Sequence, residues 1–167
     1  MPTPLSHAAV GYALGAWTAR GAGVRRVCVV AAACAALPDI DALGWPLHLA
    51  PASLFAHRGI THSICFALIA APFAAAACFR GAEWLGRRVR IAGILAVALL
   101  SHAFLDGFTS YSSSIAYLAP FSPQRFRFAW TPLGSPGGGL GGQLLQEAMV
   151  VLLPALVLAW LARRRGR

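Results

Sequence analysis

The chain has 167 residues, 58% of them hydrophobic and 11% charged, with 14 basic side chains, all arginine, and a net charge of +9. That length holds one domain, and so little charge excludes an ordinary soluble domain in favour of an integral membrane protein. Nor does the basic balance imply nucleic acid: the arginines cluster at the ends of apolar runs, in 20–26, 80–90 and 163–167, rather than along one stripe.

Apolar patterning predicts five helices at about 5–19, 24–38, 60–79, 89–106 and 145–162, an all-α polytopic membrane domain spanning 1–167. The first has no basic residue ahead of it and is interrupted by His7, so it does not read as a signal peptide. The second, VCVVAAACAAL, falls short of the ~20 residues a plain span needs, and must continue into DIDALG or meet a thinned bilayer. In HRGITHS, Gly59 permits a tight bend that leaves His57 on the loop and His62 in the first turn of the third helix. Pro72 and Pro154 are tolerable in membrane helices, where neighbours re-satisfy the carbonyls they release. Cys28, Cys34, Cys65 and Cys78 lie in apolar runs without a CxxC pair and read as small buried hydrophobes. His48 has no companion and reads as an interfacial bystander.

Residues 107–144 lack helical periodicity and are expected to form a long extracytoplasmic loop. Its aromatics Phe121, Phe126, Phe128 and Trp130, interleaved with Arg125 and Arg127, suit the headgroup zone. The run GSPGGGLGG lacks the lysine and flanking strand of a phosphate loop and reads as a flexible linker.

Arginine asymmetry sets the orientation. The links after the first and third helices and the C-terminal tail carry the arginine clusters, whereas the opposite side holds only Arg58, Arg125 and Arg127. The positive-inside rule then places the N-terminus outside and the C-terminus in the cytoplasm, with five spans between. From the arginines to Asp39, His102 and Glu147 is about 18 to 24 Å along three helices at 1.5 Å per residue. The polar residues are therefore expected at one depth, just beneath the outer surface.

His102 and Asp106 stand four apart and share a helix face, where an imidazole and a carboxylate can chelate one ion or simply pair with each other. Asp39 and Asp41 follow Pro38, and in a turn they can converge on one ion or bridge two, or simply form a polar helix terminus. His57, Arg58 and His62 add two imidazoles and a guanidinium, groups suited to metal and to phosphate. His7 and Glu147 join from the first and fifth helices, where a plain structural role is an equal alternative.

SHAAVG, PDID, HRGITHS and SHAFLDGFTSY, in this order, resemble the YdjM-like family of LexA-regulated, membrane-bound, predicted metal-dependent hydrolases; the resemblance covers residues 5 to about 112. It implies a bacterial inner-membrane location. More distantly, His7, Asp41, His62, His102 and Asp106 are similar to parts of the helical zinc-dependent phospholipase C and S1/P1-type nuclease enzymes. Gln143 stands where those enzymes would place a further histidine, so one or two ions are expected rather than three.

The expected function is hydrolysis of a phosphoester, lipid-linked by its location, with one or two divalent ions, zinc foremost, held by His7, Asp39, Asp41, His57, His62, His102 and Asp106. Asp39, Asp41, Arg58 and Glu147 are the candidate catalytic residues, Arg58 as the grip on a phosphoryl oxygen. Nucleic acid is not an expected partner. An ion or metal transporter is the first rival, though the cytoplasmic halves offer no polar relay. The second is a structural or partner-binding membrane protein whose polar cluster fixes helix packing.

Overall fold

The computed structural model describes residues 2–48, 50, 53–110, 114–134 and 139–165. Among them are five helices and no strand: α1 (Pro4–Thr18), α2 (Val24–Ala36), α3 (Ile64–Cys78), α4 (Arg88–Gly107) and α5 (Gly139–Arg165). α1 opens with Pro4, whose fixed φ and missing N–H suit a first helical position. α3 opens on Ser63, whose hydroxyl accepts from the Phe66 amide at 3.0 Å. Past Ala36 the chain tightens into a 3-10 helix, Leu37–Leu47, where Pro38 offers no amide to the α-helical ladder. The continuation into DIDALG expected for the second helix is thus present, in 3-10 form. Pro154 has a comparable effect in α5, where a π-helical turn at Ala148–Leu152 absorbs the carbonyl that the proline leaves unpaired.

α5 begins earlier than its sequence pattern predicts. Gly139–Gly142, expected as flexible linker, are its first turn; the rest of the glycine run, 135–138, lies outside the described residues. Glycine forms helix poorly in water, but apolar surroundings require backbone groups to bond within the helix. The loop from 107 onward is built rather than slack, although 111–113 in TSYSSS lie outside the described residues. Isolated bridges join Thr109 to Leu133 and Ile115 to Phe126. Tyr117 and Phe128 close over Gly107, where a Cβ would sit 2.7 Å from the Tyr117 hydroxyl. That hydroxyl donates to the Ala103 carbonyl at 3.0 Å, and burial pushes its pKa up to about 12, so it remains a donor.

Packing is inverted relative to a soluble domain. α3 buries Ala67, Ala71 and Ala75 while exposing Leu68, Ile69 and Phe73; α5 buries Ala155, Ala159 and Ala162 and exposes Leu153, Leu156 and Trp160. Small residues let backbones approach in lipid, and large apolar ones face the tails. α1 meets α2 the same way: a Cβ on Gly11 would lie 2.4 Å from the Ala31 carbonyl oxygen, and one on Gly15 would lie 2.8 Å from the Cys28 Cα. The core is filled by Val27, Ala31 and Ala35 of α2 against Ile91, Leu95, Ala98 and Leu99 of α4. Cys28 and Cys34 are buried and Cys65 and Cys78 half-buried, all as free thiols.

Two helical stretches among the described residues are long and apolar enough to cross a membrane: Ala82–Gly107, which includes the 3-10 turn ahead of α4 and has a mean hydropathy of 1.7, and Gly139–Arg165, at 2.1. α1, α2 and α3 have 15, 13 and 15 residues. At 1.5 Å per residue each is about 20–23 Å long, less than the ~30 Å hydrocarbon core.

Candidate metal centre

Four segments carry the polar side chains to one end of the bundle. α1 brings His7; the 3-10 helix after α2 brings Asp39 and Asp41; the turn before α3 brings His57, Arg58 and His62; the last turns of α4 bring His102 and Asp106. Gly59 is needed in that turn, since a Cβ there would stand 2.1 Å from the Leu54 carbonyl oxygen, and Arg58 itself takes a φ of 63°. A positive φ in a bulky residue is costly, and here it is held by what the side chain reaches. The guanidinium Nη2 lies 2.8 Å from Asp106 Oδ2 and donates to the Thr109 hydroxyl at 3.1 Å. That hydroxyl donates in turn to the Asp106 carbonyl at 2.7 Å.

One ligand atom from each of Asp39, His62, His102 and Asp106 lies within 4.8 Å of all the others, and all four residues are buried. His102 Nδ1 donates to the Ala35 carbonyl at 2.7 Å, which fixes the tautomer and leaves a lone pair on Nε2. His62 is fixed likewise, its Nδ1 lying 3.1 Å from Asp41 Oδ2. The two Nε2 atoms face each other at 3.0 Å. Two lone pairs at that distance repel unless a proton or a cation stands against them. Beside them, both oxygens of Asp39 are buried without a hydrogen-bond partner among the described residues, a costly state for a carboxylate.

The spacing fits one small divalent ion. Ligand bonds of ~2.0–2.1 Å in a tetrahedron put ligand atoms about 3.3–3.4 Å apart. His102 Nε2 is 3.0 Å from His62 Nε2 and 3.4 Å from Asp39 Oδ1, and His62 Nε2 is 3.6 Å from Asp106 Oδ2. Two imidazoles and two carboxylates are a donor set that could hold a metal ion.

Asp41 stands behind this set. Its Oδ1 takes His57 Nδ1 at 2.6 Å, and its Oδ2 accepts from the Arg58 amide at 3.0 Å and the Thr61 hydroxyl at 2.6 Å. With both oxygens engaged, it orients His62. His57 lies outside the set, its ring edge-on to that of His62 with centroids 5.6 Å apart. His7 flanks the set: it stacks on His102 with centroids 3.7 Å apart, and its Nε2 is 3.4 Å from Asp106 Oδ1.

Comparison with known proteins covers the whole chain. A model of the family described as YdjM inner membrane protein matches residues 1–166. The chain belongs to that family. It is also 30% identical over 162 residues to the inner membrane protein YbcI of Escherichia coli (strain K12), covering 96% of this chain and 92% of that one. No solved structure matches it. The chain is therefore an inner-membrane protein of the YdjM family whose buried His/Asp cluster has the donors and spacing to hold a metal ion.

Of the seven expected ligands, four converge, His7 adjoins them, and Asp41 and His57 support from behind. Arg58, expected to face a substrate phosphoryl group, is 1% exposed and turned inward onto Asp106. Glu147, expected in catalysis, has Oε1 taken by the Thr3 amide at 2.5 Å and the Thr3 hydroxyl at 2.6 Å, and so ties α5 to the start of α1. His48 is exposed, in keeping with a bystander. The Ala35 carbonyl and Thr109 also take part in the site, beyond the residues that the sequence singles out. A backbone carbonyl leaves no trace in a sequence, but Thr109, three residues past Asp106, was within reach of the same helix-end reasoning.

Proposed function

We propose that the protein is a membrane-embedded, metal-dependent hydrolase acting on a phosphoester of a lipid-borne headgroup. The convergence of four ligand atoms on one point, two of them imidazole lone pairs fixed by hydrogen bonds from behind, carries this function. When bound, a zinc ion supplies Lewis acidity and lowers the pKa of a water to about 7. Asp39 would hold the ion through one oxygen and take the water's proton on the other, neither oxygen having a hydrogen-bond partner among the described residues. Asp41 holds His62 in register, and Arg58 holds Asp106. We further propose five spans with the N-terminus outside. The short helices α1–α3 share the apolar exterior of the longer ones, and the arginine-rich links all lie at the end opposite the cluster.

The same burial supports a second reading. His62, His102 and Asp106 are each at most 1% exposed, and closed sites are a mark of structural rather than catalytic metal. The test is to strip the purified protein with chelator, reload it with zinc, and screen a phosphodiester, a phosphomonoester and an amide. A hydrolase turns over one of the phosphoesters, and Asp39→Asn and His102→Ala, each changing a ligand, then lose turnover together with affinity for the ion. A reloaded protein that gains thermal stability but hydrolyses none of them is the structural centre.

A further inference from the structure

At the other end of the bundle, α1, α2 and α5 part around a cavity of about 790 Å³. Arginines from three separate segments line it: Arg20 beyond the end of α1, Arg25 in the first turn of α2, and Arg163 in the last turn of α5. Between them its wall is apolar, including Ala16, Val24 and Ala162. Each guanidinium is differently engaged. Arg20 donates to the Trp17 and Ala19 carbonyls, at 2.8 and 3.1 Å. Arg163 donates to the Tyr12 hydroxyl and lies over its ring. Arg25 is exposed and has no hydrogen bond or ion pair among the described residues. None of the three meets an acid. The chain has five acidic residues, and Asp39, Asp41 and Asp106 belong to the opposite end, while Glu147 is tied to Thr3. Glu83, the fifth, is not among the lining residues. The N-cap of α2, Gly23, supplies no side-chain acceptor to the amides that follow it, so partial positive charge adds to that of the guanidinium groups.

Three arginines lining one cavity without a counter-charge are matched by a phosphate, which guanidinium groups can grip in pairs. The apolar wall between helices says what the phosphate is attached to. We infer that this cavity binds the headgroup of an anionic glycerophospholipid, with the phosphate among Arg20, Arg25 and Arg163 and the glycerol and upper acyl carbons against the alanine-lined helices. A volume of this order accommodates such a headgroup, and basic clefts between membrane helices are suited to it. The site is separate from the His/Asp cluster and does not depend on its function.

Binding of phosphatidylglycerol, phosphatidylcholine and inorganic phosphate to the full-length protein in an uncharged detergent, read by native mass spectrometry and by thermal shift, tests this. Wild type should retain phosphatidylglycerol over phosphatidylcholine. Arg25→Gln removes a side chain with no hydrogen bond or ion pair among the described residues, so it should leave unfolding of the lipid-free protein unchanged and weaken phosphatidylglycerol about fivefold. Arg80→Gln, outside the cavity, should change neither. Equal retention of the two lipids would overturn the inference, as would an unaltered Arg25→Gln or an equal loss in Arg80→Gln. Displacement of the lipid by millimolar inorganic phosphate would also overturn it, by showing a site for soluble phosphate.

Discussion

The two ends of this bundle handle charge in opposite ways. At one, carboxylates and imidazoles are buried and meet at 2.6 to 3.6 Å, most of them fixed by a second group behind. At the other, arginines lie on the surface, donating to helix-end carbonyls and covering aromatic rings: Arg87 to Ala22, Arg90 to Thr18, Arg164 over Trp160 and Arg165 over Trp17. Exposed arginines are individually replaceable, because water can solvate either partner. Buried acids are not, because each depends on a particular neighbour. Substitutions should therefore cost much at the first end and little at the second.

The largest effect is expected at His102. His102→Ala deletes a donor whose tautomer the Ala35 carbonyl fixes, and should weaken zinc by more than the ~10–100-fold typical of changes to supporting partners. Asp41→Asn, which touches only the support of His62, should fall within that ~10–100-fold range. Competition with a calibrated chelator measures both, and equal affinities for the two variants would erase the distinction between ligand and support. Next is Arg58→Met. It leaves Asp106 buried without its cation and should cost about 3–5 kcal/mol in the zinc-free protein, measured by unfolding in detergent. A loss below 1 kcal/mol, on the scale of an exposed ion pair, would show that Arg58 is not what holds Asp106.

This contrast also marks what could be read in advance. The arginine end was legible because topology writes it directly into the sequence: arginines fall where apolar runs stop. The spacing of His102 and Asp106 was legible too, since four residues on a helix fix a shared face. The division of labour between Asp39 and Asp41 was not. Both follow Pro38, and only the 3-10 winding of Leu37–Leu47, set against the turn at Arg58, sends one into the ligand set and the other behind His62. The direction of Arg58 is hidden for a similar reason, because it depends on a positive φ that no spacing reveals. Glu147 lies at the right depth, yet its partner is Thr3, 144 residues away in sequence.

Smaller effects sharpen the comparison from the packing side. Gly11→Ala lies between the two ends and presses a methyl onto the Ala31 carbonyl, so it should cost about 1–3 kcal/mol by thermal unfolding. No loss would mean that α1 and α2 can part without consequence. Least of all is expected from Arg164→Gln, which removes a cation 3.8 Å from the Trp160 ring centroid at an exposed site and should cost at most about 1 kcal/mol. A loss as large as that of Arg58→Met would overturn the contrast between the two ends.

The most direct test is to count ions. Chelator-stripped protein, titrated with zinc and analysed for metal per chain, should bind one ion with wild-type residues and none in a His62→Ala/His102→Ala double variant that remains folded. Two ions per chain, none, or one ion retained by the double variant would contradict a single centre built from Asp39, His62, His102 and Asp106.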